Sequence, residues 1–226
     1  MRLRERAIAI RKELRFAWVP FFGRFGRLTP VQVETIPKVL QGHNVIVASP
    51  TATGKTEAIV APVAERLSRR GCDSLGVVYV VPTRALANDT YVRIEGPLRD
   101  MGFTTGIKHG DKPRIPTREP PNILITTPES LDSLICRRPQ MFSVLQVVIL
   151  DEIHLIDNTY RGDQLRVLLR RLRRLVADGS FATHLLSATL SSPGEVGRRY
   201  AEDATIVEVH GRREIDYYLL NSLDDV

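Results

Sequence analysis

Three stretches of the chain carry residue types and spacings that could do chemistry. The first is Ser49-Pro50-Thr51-Ala52-Thr53-Gly54-Lys55-Thr56, which follows the apolar run Val45-Ile46-Val47-Ala48 and leads into Glu57-Ala58-Ile59-Val60. Binding a phosphate chain needs inward-pointing backbone N–H groups at a helix N-terminus, a lysine that reaches the outer phosphates and a hydroxyl for Mg2+. Gly54, Lys55 and Thr56 supply those parts, while Ser49 and Ala52 stand where such loops commonly have glycine, so this loop has less conformational freedom. The second stretch is Asp151-Glu152-Ile153-His154, which ends Val147-Val148-Ile149-Leu150, the most apolar run of the chain. An aspartate at the end of a buried strand can reach Mg2+ through water, and the adjacent glutamate can orient an attacking water. Two acids that merely end a strand at the surface are the plainer alternative. The third stretch is Ser187-Ala188-Thr189, at the end of His184-Leu185-Leu186.

These stretches need a scaffold that brings strand ends together. Helix from about Lys55 to Arg70, strand over 76–81, helix from Arg84 toward Met101, strand over 122–126 and strand over 147–150 alternate along the chain. Short strands are expected also over 106–110, 184–186 and 205–209, and the proline-rich segment 111–121 reads as a loop. Strands alternating with helices imply an α/β fold with a doubly wound, mostly parallel sheet, whose ligands bind beyond the carboxyl ends of the strands. Before the first strand, Leu3, Ala7, Ile10, Leu14 and Ala17 form a stripe at helical spacing with arginines mostly off it. An aromatic, glycine-punctuated segment then reaches Thr29-Pro30, where threonine caps and proline opens a helix. The expected organisation is a basic amphipathic helix and linker over 1–27 and one nucleotide-binding domain over 28–226.

The 226 residues carry a net charge of +6, which favours a polyanionic partner, although basic surfaces also occur in proteins that bind no nucleic acid. Cys72 and Cys136 match no metal or redox spacing, and no apolar stretch approaches a membrane span. A cytoplasmic, monomeric protein is expected. The arginines Arg166, Arg170, Arg171, Arg173 and Arg174, opposite a leucine stripe on one helix, read as a solvated face.

Taken together, the motifs resemble the N-terminal RecA-like domain of superfamily 2 DExH helicases, most nearly the Lhr-like (large helicase-related) group, over about Phe22 to Tyr218. Leu28-Thr29-Pro30-Val31-Gln32 is similar to the segment whose glutamine reads adenine, and Ser49 to Thr56 to motif I. Pro82-Thr83-Arg84-Ala85-Leu86 is similar to motif Ia, Thr127-Pro128-Glu129 to motif Ib, Asp151 to His154 to motif II and Ser187 to Thr189 to motif III. Arg161-Gly162 also occurs in Lhr-like relatives. The resemblance implies ATP and Mg2+ as ligands, with Gln32, Thr51, Ala52, Thr53, Gly54, Lys55 and Thr56 on the nucleotide, and Thr56 and Asp151 on the metal. It implies Lys55, Asp151, Glu152 and His154 as catalytic residues, and Ser187, Ala188 and Thr189 as coupling residues. Pro82, Thr83, Arg84, Thr127, Pro128 and Glu129 would meet a nucleic-acid backbone. The implied activity is 3′-to-5′ translocation and unwinding driven by ATP, completed by a second RecA-like domain that this chain lacks and without which it would be weakly active. A non-catalytic binding module and a restriction-type DNA translocase are the alternatives.

Overall fold

A computed structural model describes residues 3–111, 119–188 and 192–209. In chain order the elements are α1 (Leu3–Glu13), α2 (Trp18–Phe22), α3 (Pro30–Leu40), β1 (Val45–Ala48), α4 (Lys55–Arg70), β2 (Val77–Val80), α5 (Arg84–Asp100), β3 (Thr105–Lys108), β4 (Ile123–Thr126), α6 (Pro128–Arg137), β5 (Val147–Leu150), α7 (Tyr160–Leu175), β6 (Ala182–Ser187), α8 (Pro193–Tyr200) and β7 (Thr205–Glu208). Single 3₁₀ turns cover Pro139–Phe142 and Ile153–Leu155.

The strands form one seven-stranded sheet in the order β3-β4-β2-β5-β6-β1-β7, and every pairing is parallel. Because all strands run one way, the loops after β1, β2, β4, β5 and β6 emerge on one edge. Alternation along the strands divides the core. Val45 and Val47 of β1, with Tyr79, Ile125 and Ile149, pack under α1 to α5, while Ile46, Val78, Leu124 and Val148 pack against α6, α7 and α8. Both faces are covered, which is why the strands read as continuous apolar runs.

Two expectations for the N-terminal segment need correction. The helix ends at Glu13 instead of continuing to Ala17, and the chain turns into α2. Glu65 of α4, whose side chain is wholly buried, explains the break: its Oε2 accepts the backbone N–H groups of Phe16 at 2.8 Å and Ala17 at 3.0 Å. The start of the aromatic stretch is core and not a linker, for Phe21 and Phe22 are buried beside Ile10, Leu14 and Ala17. Elsewhere α4 ends at Gly71, which has φ +82°, and β6 starts two residues earlier than the leucine run indicated. On α7 the leucines 165, 168, 169 and 172 are buried; of the arginines, Arg166 pairs with Asp163 and Arg171 with Asp132. Among the described residues, no helix is long and apolar enough to cross a membrane.

Candidate nucleotide site and nucleic-acid interface

The loop between β1 and α4 turns through two left-handed residues, Ala52 at φ 61° and Gly54 at φ 85°. The left-handed backbone favours glycine at Gly54, and a Cβ there would come within 2.4 Å of Gln32 Nε2 and push that amide aside. The close approach has a purpose: Gln32 Nε2 donates to the Gly54 carbonyl at 3.3 Å and the Thr29 hydroxyl donates to the Thr53 carbonyl at 2.9 Å. Thr29 and Gln32 also form a reciprocal capping box at the start of α3, which fixes both side chains against the loop.

Lys55 is buried, and its Nζ donates to the Ser49 carbonyl at 2.6 Å and to the Pro50 carbonyl at 3.4 Å. Burial lowers its pKa, while the charges of Glu152 and Asp151 oppose that shift. Asp151 sits beyond β5 with one carboxylate oxygen accepting the Tyr79 hydroxyl at 2.6 Å and the other accepting the Glu152 N–H at 2.8 Å. Desolvation pushes the Asp151 carboxyl up to about 6; the Tyr79 bond works against the rise and the neighbouring Glu152 charge adds to it. Burial, together with the Asp151 charge, raises the pKa of the Tyr79 phenol, so the hydroxyl stays protonated as the donor to Asp151. A carboxylate and a hydroxyl are hard oxygen donors, and no group of three or more His, Cys, Asp or Glu is placed to cage a metal among the described residues. Two protein oxygens without a cage suit Mg2+, which keeps water and substrate phosphate oxygens in its shell.

Glu152 is one of three non-glycine residues with positive φ among those described, at φ 45° and ψ 44°, a sparsely populated conformation. Its Oε2 lies 3.3 Å from His154 Nδ1, and the Ser187 hydroxyl lies 3.1 Å from that same nitrogen. With Nδ1 free of hydrogen the ring accepts from the Ser187 hydroxyl, while Glu152 Oε2 is buried beside it with no hydrogen-bond partner among the described residues. The imidazole thus joins the turn after β5 to the end of β6. Ala188 follows directly, and Thr189 lies outside the described residues.

Gln32, Thr51 to Thr56, Asp151 and Glu152 line one cleft of about 600 Å³. Phe25, Arg27 and Arg93 line it too, and the sequence reading did not include them. Phe25 is 56 % exposed, with the Arg24 guanidinium 4.5 Å from its ring centre. The two stretches proposed for a nucleic-acid backbone are outside this cleft, at helix N-termini. Thr83 caps α5, its hydroxyl accepting the Leu86 N–H at 3.2 Å, and Arg84 pairs with Asp111 at 2.7 Å on the surface. Thr127 and Pro128 are buried at the start of α6, and Glu129 pairs with Arg161. Burial alone would raise the Glu129 pKa, but the Arg161 bond and charge bring it below its ordinary value.

A phosphate loop, an acidic dipeptide at the next strand end but one, and a histidine linking that dipeptide to β6 define a RecA-like nucleotide-binding domain of the helicase class. Residues 29–196 match the DEAD/DEAH box helicase family, and the chain belongs to it. It is 35 % identical over 203 residues to ATP-dependent helicase Lhr-Core protein 2 of Thermococcus barophilus, covering 79 % of this chain and 23 % of that protein. With ATP-dependent helicase Lhr-Core of Methanothermobacter thermautotrophicus it shares 32 % identity over 240 residues, 92 % of this chain and 28 % of the relative. The structure is similar to that of Mycobacterium smegmatis helicase Lhr bound to ssDNA and AMP-PNP, with a TM-score of 0.75 and 30 % identity over 86 % of this chain and 27 % of the other. The chain therefore spans about a quarter of the length of the relatives it matches.

Proposed function

We propose that this chain is the ATP-binding half of a motor that hydrolyses ATP to move 3′ to 5′ along a single strand and separate duplexes. The observation that carries the reading is the shared sheet edge, which holds the phosphate loop and Asp151-Glu152 in one cleft and also carries the His154–Ser187 link and the N-termini of α5 and α6. Lys55 and the loop N–H groups would bind the triphosphate, and Gln32, bonded to the loop at Gly54 and lining the same cleft, would contact the adenine. Glu152, beside His154, would orient the attacking water. Thr56 and Asp151 would hold Mg2+, which supplies charge neutralisation on the phosphates. The helix N-termini offer N–H groups to backbone phosphates, a mode of contact without base information, so DNA and RNA are both substrates to test. Polarity and unwinding are drawn from the likeness to Lhr proteins.

Such sites depend on an arginine supplied from outside the phosphate loop, whose absence costs about 10³–10⁵ in rate. The 226-residue chain alone should therefore bind nucleotide and turn it over slowly, and a longer protein carrying a second RecA-like domain should hydrolyse ATP under stimulation by single strands. Steady-state phosphate release with and without single-stranded DNA and RNA tests this, with Glu152→Gln in the longer protein expected to abolish turnover and spare binding. A longer protein that binds nucleotide and nucleic acid yet never releases phosphate would be a binding module, and the motor reading would fail. Rapid, stimulated turnover by the 226-residue chain would refute the need for a second domain.

A further inference from the structure

The N-termini of α5 and α6 are tied together by one side chain to which the proposed function gives no role. Arg161 is the second residue of α7, where a guanidinium faces the positive end of the helix dipole. That position is unfavourable for α7 itself, so the reason for an arginine lies in its contacts. Its Nε donates to Glu129 Oε1 at 2.7 Å and its Nη2 donates to the Pro82 carbonyl at 2.6 Å. Pro82 immediately precedes the cap of α5, and Glu129 is the second residue of α6. A planar fork reaches two acceptors in fixed directions; a lysine ammonium cannot hold both in the same way.

The segment that carries Arg161 has no slack. The Gly162 N–H donates to the Thr159 carbonyl at 2.9 Å, and a Cβ on Gly162 would lie 2.4 Å from the Asp157 oxygen and 2.6 Å from that of Ile156. The tight turn anchors Arg161 nine residues after Glu152. Glu129 is also explained: an acid on a surface that meets phosphates would repel them unless a cation neutralised it.

We infer that Arg161 is a positioning residue for single-strand binding, setting the N-termini of α5 and α6 at the separation at which both meet one phosphate backbone and cancelling the charge of Glu129. The inference rests on the nucleic-acid reading given above. The test is fluorescence anisotropy of labelled single-stranded oligonucleotides with the whole 226-residue chain, comparing Arg161→Ala, Arg161→Lys, Glu129→Ala and the double alanine variant. Losing the bridge should weaken binding about tenfold in Arg161→Ala, the size expected for a charge-assisted hydrogen bond, with partial recovery in Arg161→Lys. Glu129→Ala should also weaken binding, although it removes a negative charge from a surface that meets a polyanion, and the double variant should resemble the worse single one. Nucleotide affinity should stay at the parent value. If Glu129→Ala tightens binding, charge alone governs the surface and the inference is overturned. If the parent binds and Arg161→Ala binds equally well, Arg161 has no such role while the nucleic-acid reading stands. A parent chain that binds no strand at low salt overturns both. Should Arg161→Ala fail to fold, Glu129→Ala, which keeps the arginine and its Pro82 bond, decides the matter by the sign of its effect.

Discussion

Acid should unfold this domain through one histidine. His184 lies in β6 between Val45 of β1 and Ile149 of β5, is 0 % exposed, and has no hydrogen-bond partner at either ring nitrogen among the described residues. Burial, with the charge of Arg66 adding to it, holds its pKa down to about 3, against an ordinary 6.5. The folded state refuses a proton that the unfolded chain accepts. The resulting stability is complete above the unfolded pKa and is lost as pH falls toward 3. At roughly 1.36 kcal/mol per unit, the gap amounts to about 5 kcal/mol at the acid end and about 2 kcal/mol by pH 5. Against a typical domain stability of about 5–15 kcal/mol, this is a large share. Urea midpoints measured between about pH 8 and about pH 5 should fall steeply in the parent and less steeply in His184→Leu, with carboxylates contributing equally to both. Parallel curves for the two proteins would refute the argument. Assays of nucleotide binding belong above the pH at which this loss begins.

Tyr79→Phe removes the hydroxyl that bonds Asp151 at 2.6 Å, and should weaken nucleotide binding about tenfold with Mg2+ present while leaving binding in a chelator little changed. Calorimetry showing the same loss in both conditions would place the effect elsewhere. Ala52→Gly relieves a left-handed alanine at φ 61° and should raise the melting midpoint by about 2–4 °C, so a lower midpoint contradicts the strain reading. Gly162→Ala drives a Cβ to 2.4 Å from a backbone oxygen and should cost about 1–3 kcal/mol in denaturant unfolding.

Where local pattern decides structure, the sequence was sufficient. The P-loop lysine opens α4 and a glycine ends it, Thr83 caps α5, and the apolar runs before Ser49, Pro82, Thr127, Asp151 and Ala188 became neighbouring parallel strands that deliver those residues to one edge. What stayed hidden depends on partners far along the chain. The break after Glu13 follows from Glu65, 48 residues beyond Ala17. Tyr79 looks like one more apolar strand residue until its hydroxyl meets Asp151, 72 positions later. Phe25 and Arg27 carry no spacing signal and line the cleft only because α2 packs its aromatic residues into the core. Arg161 stands out in the sequence only as a pair with Gly162, because its two acceptors lie 32 and 79 residues away.

Lys55 gives nucleotide binding the character of an exchange. Its ammonium already gives two of its three hydrogens to the carbonyls of Ser49 and Pro50, and a phosphate competes with them for it. The loop is thus its own competitor for the lysine, and measured affinity reports the difference between two sets of bonds. Replacing Lys55 by alanine erases the resting contacts together with the working ones, so the drop in affinity understates the strength of the lysine–phosphate contact. The loop's grip on the lysine is itself adjustable: a substitution that weakens the hold of Ser49 and Pro50 on the ammonium would tighten nucleotide binding without adding a single contact to the nucleotide.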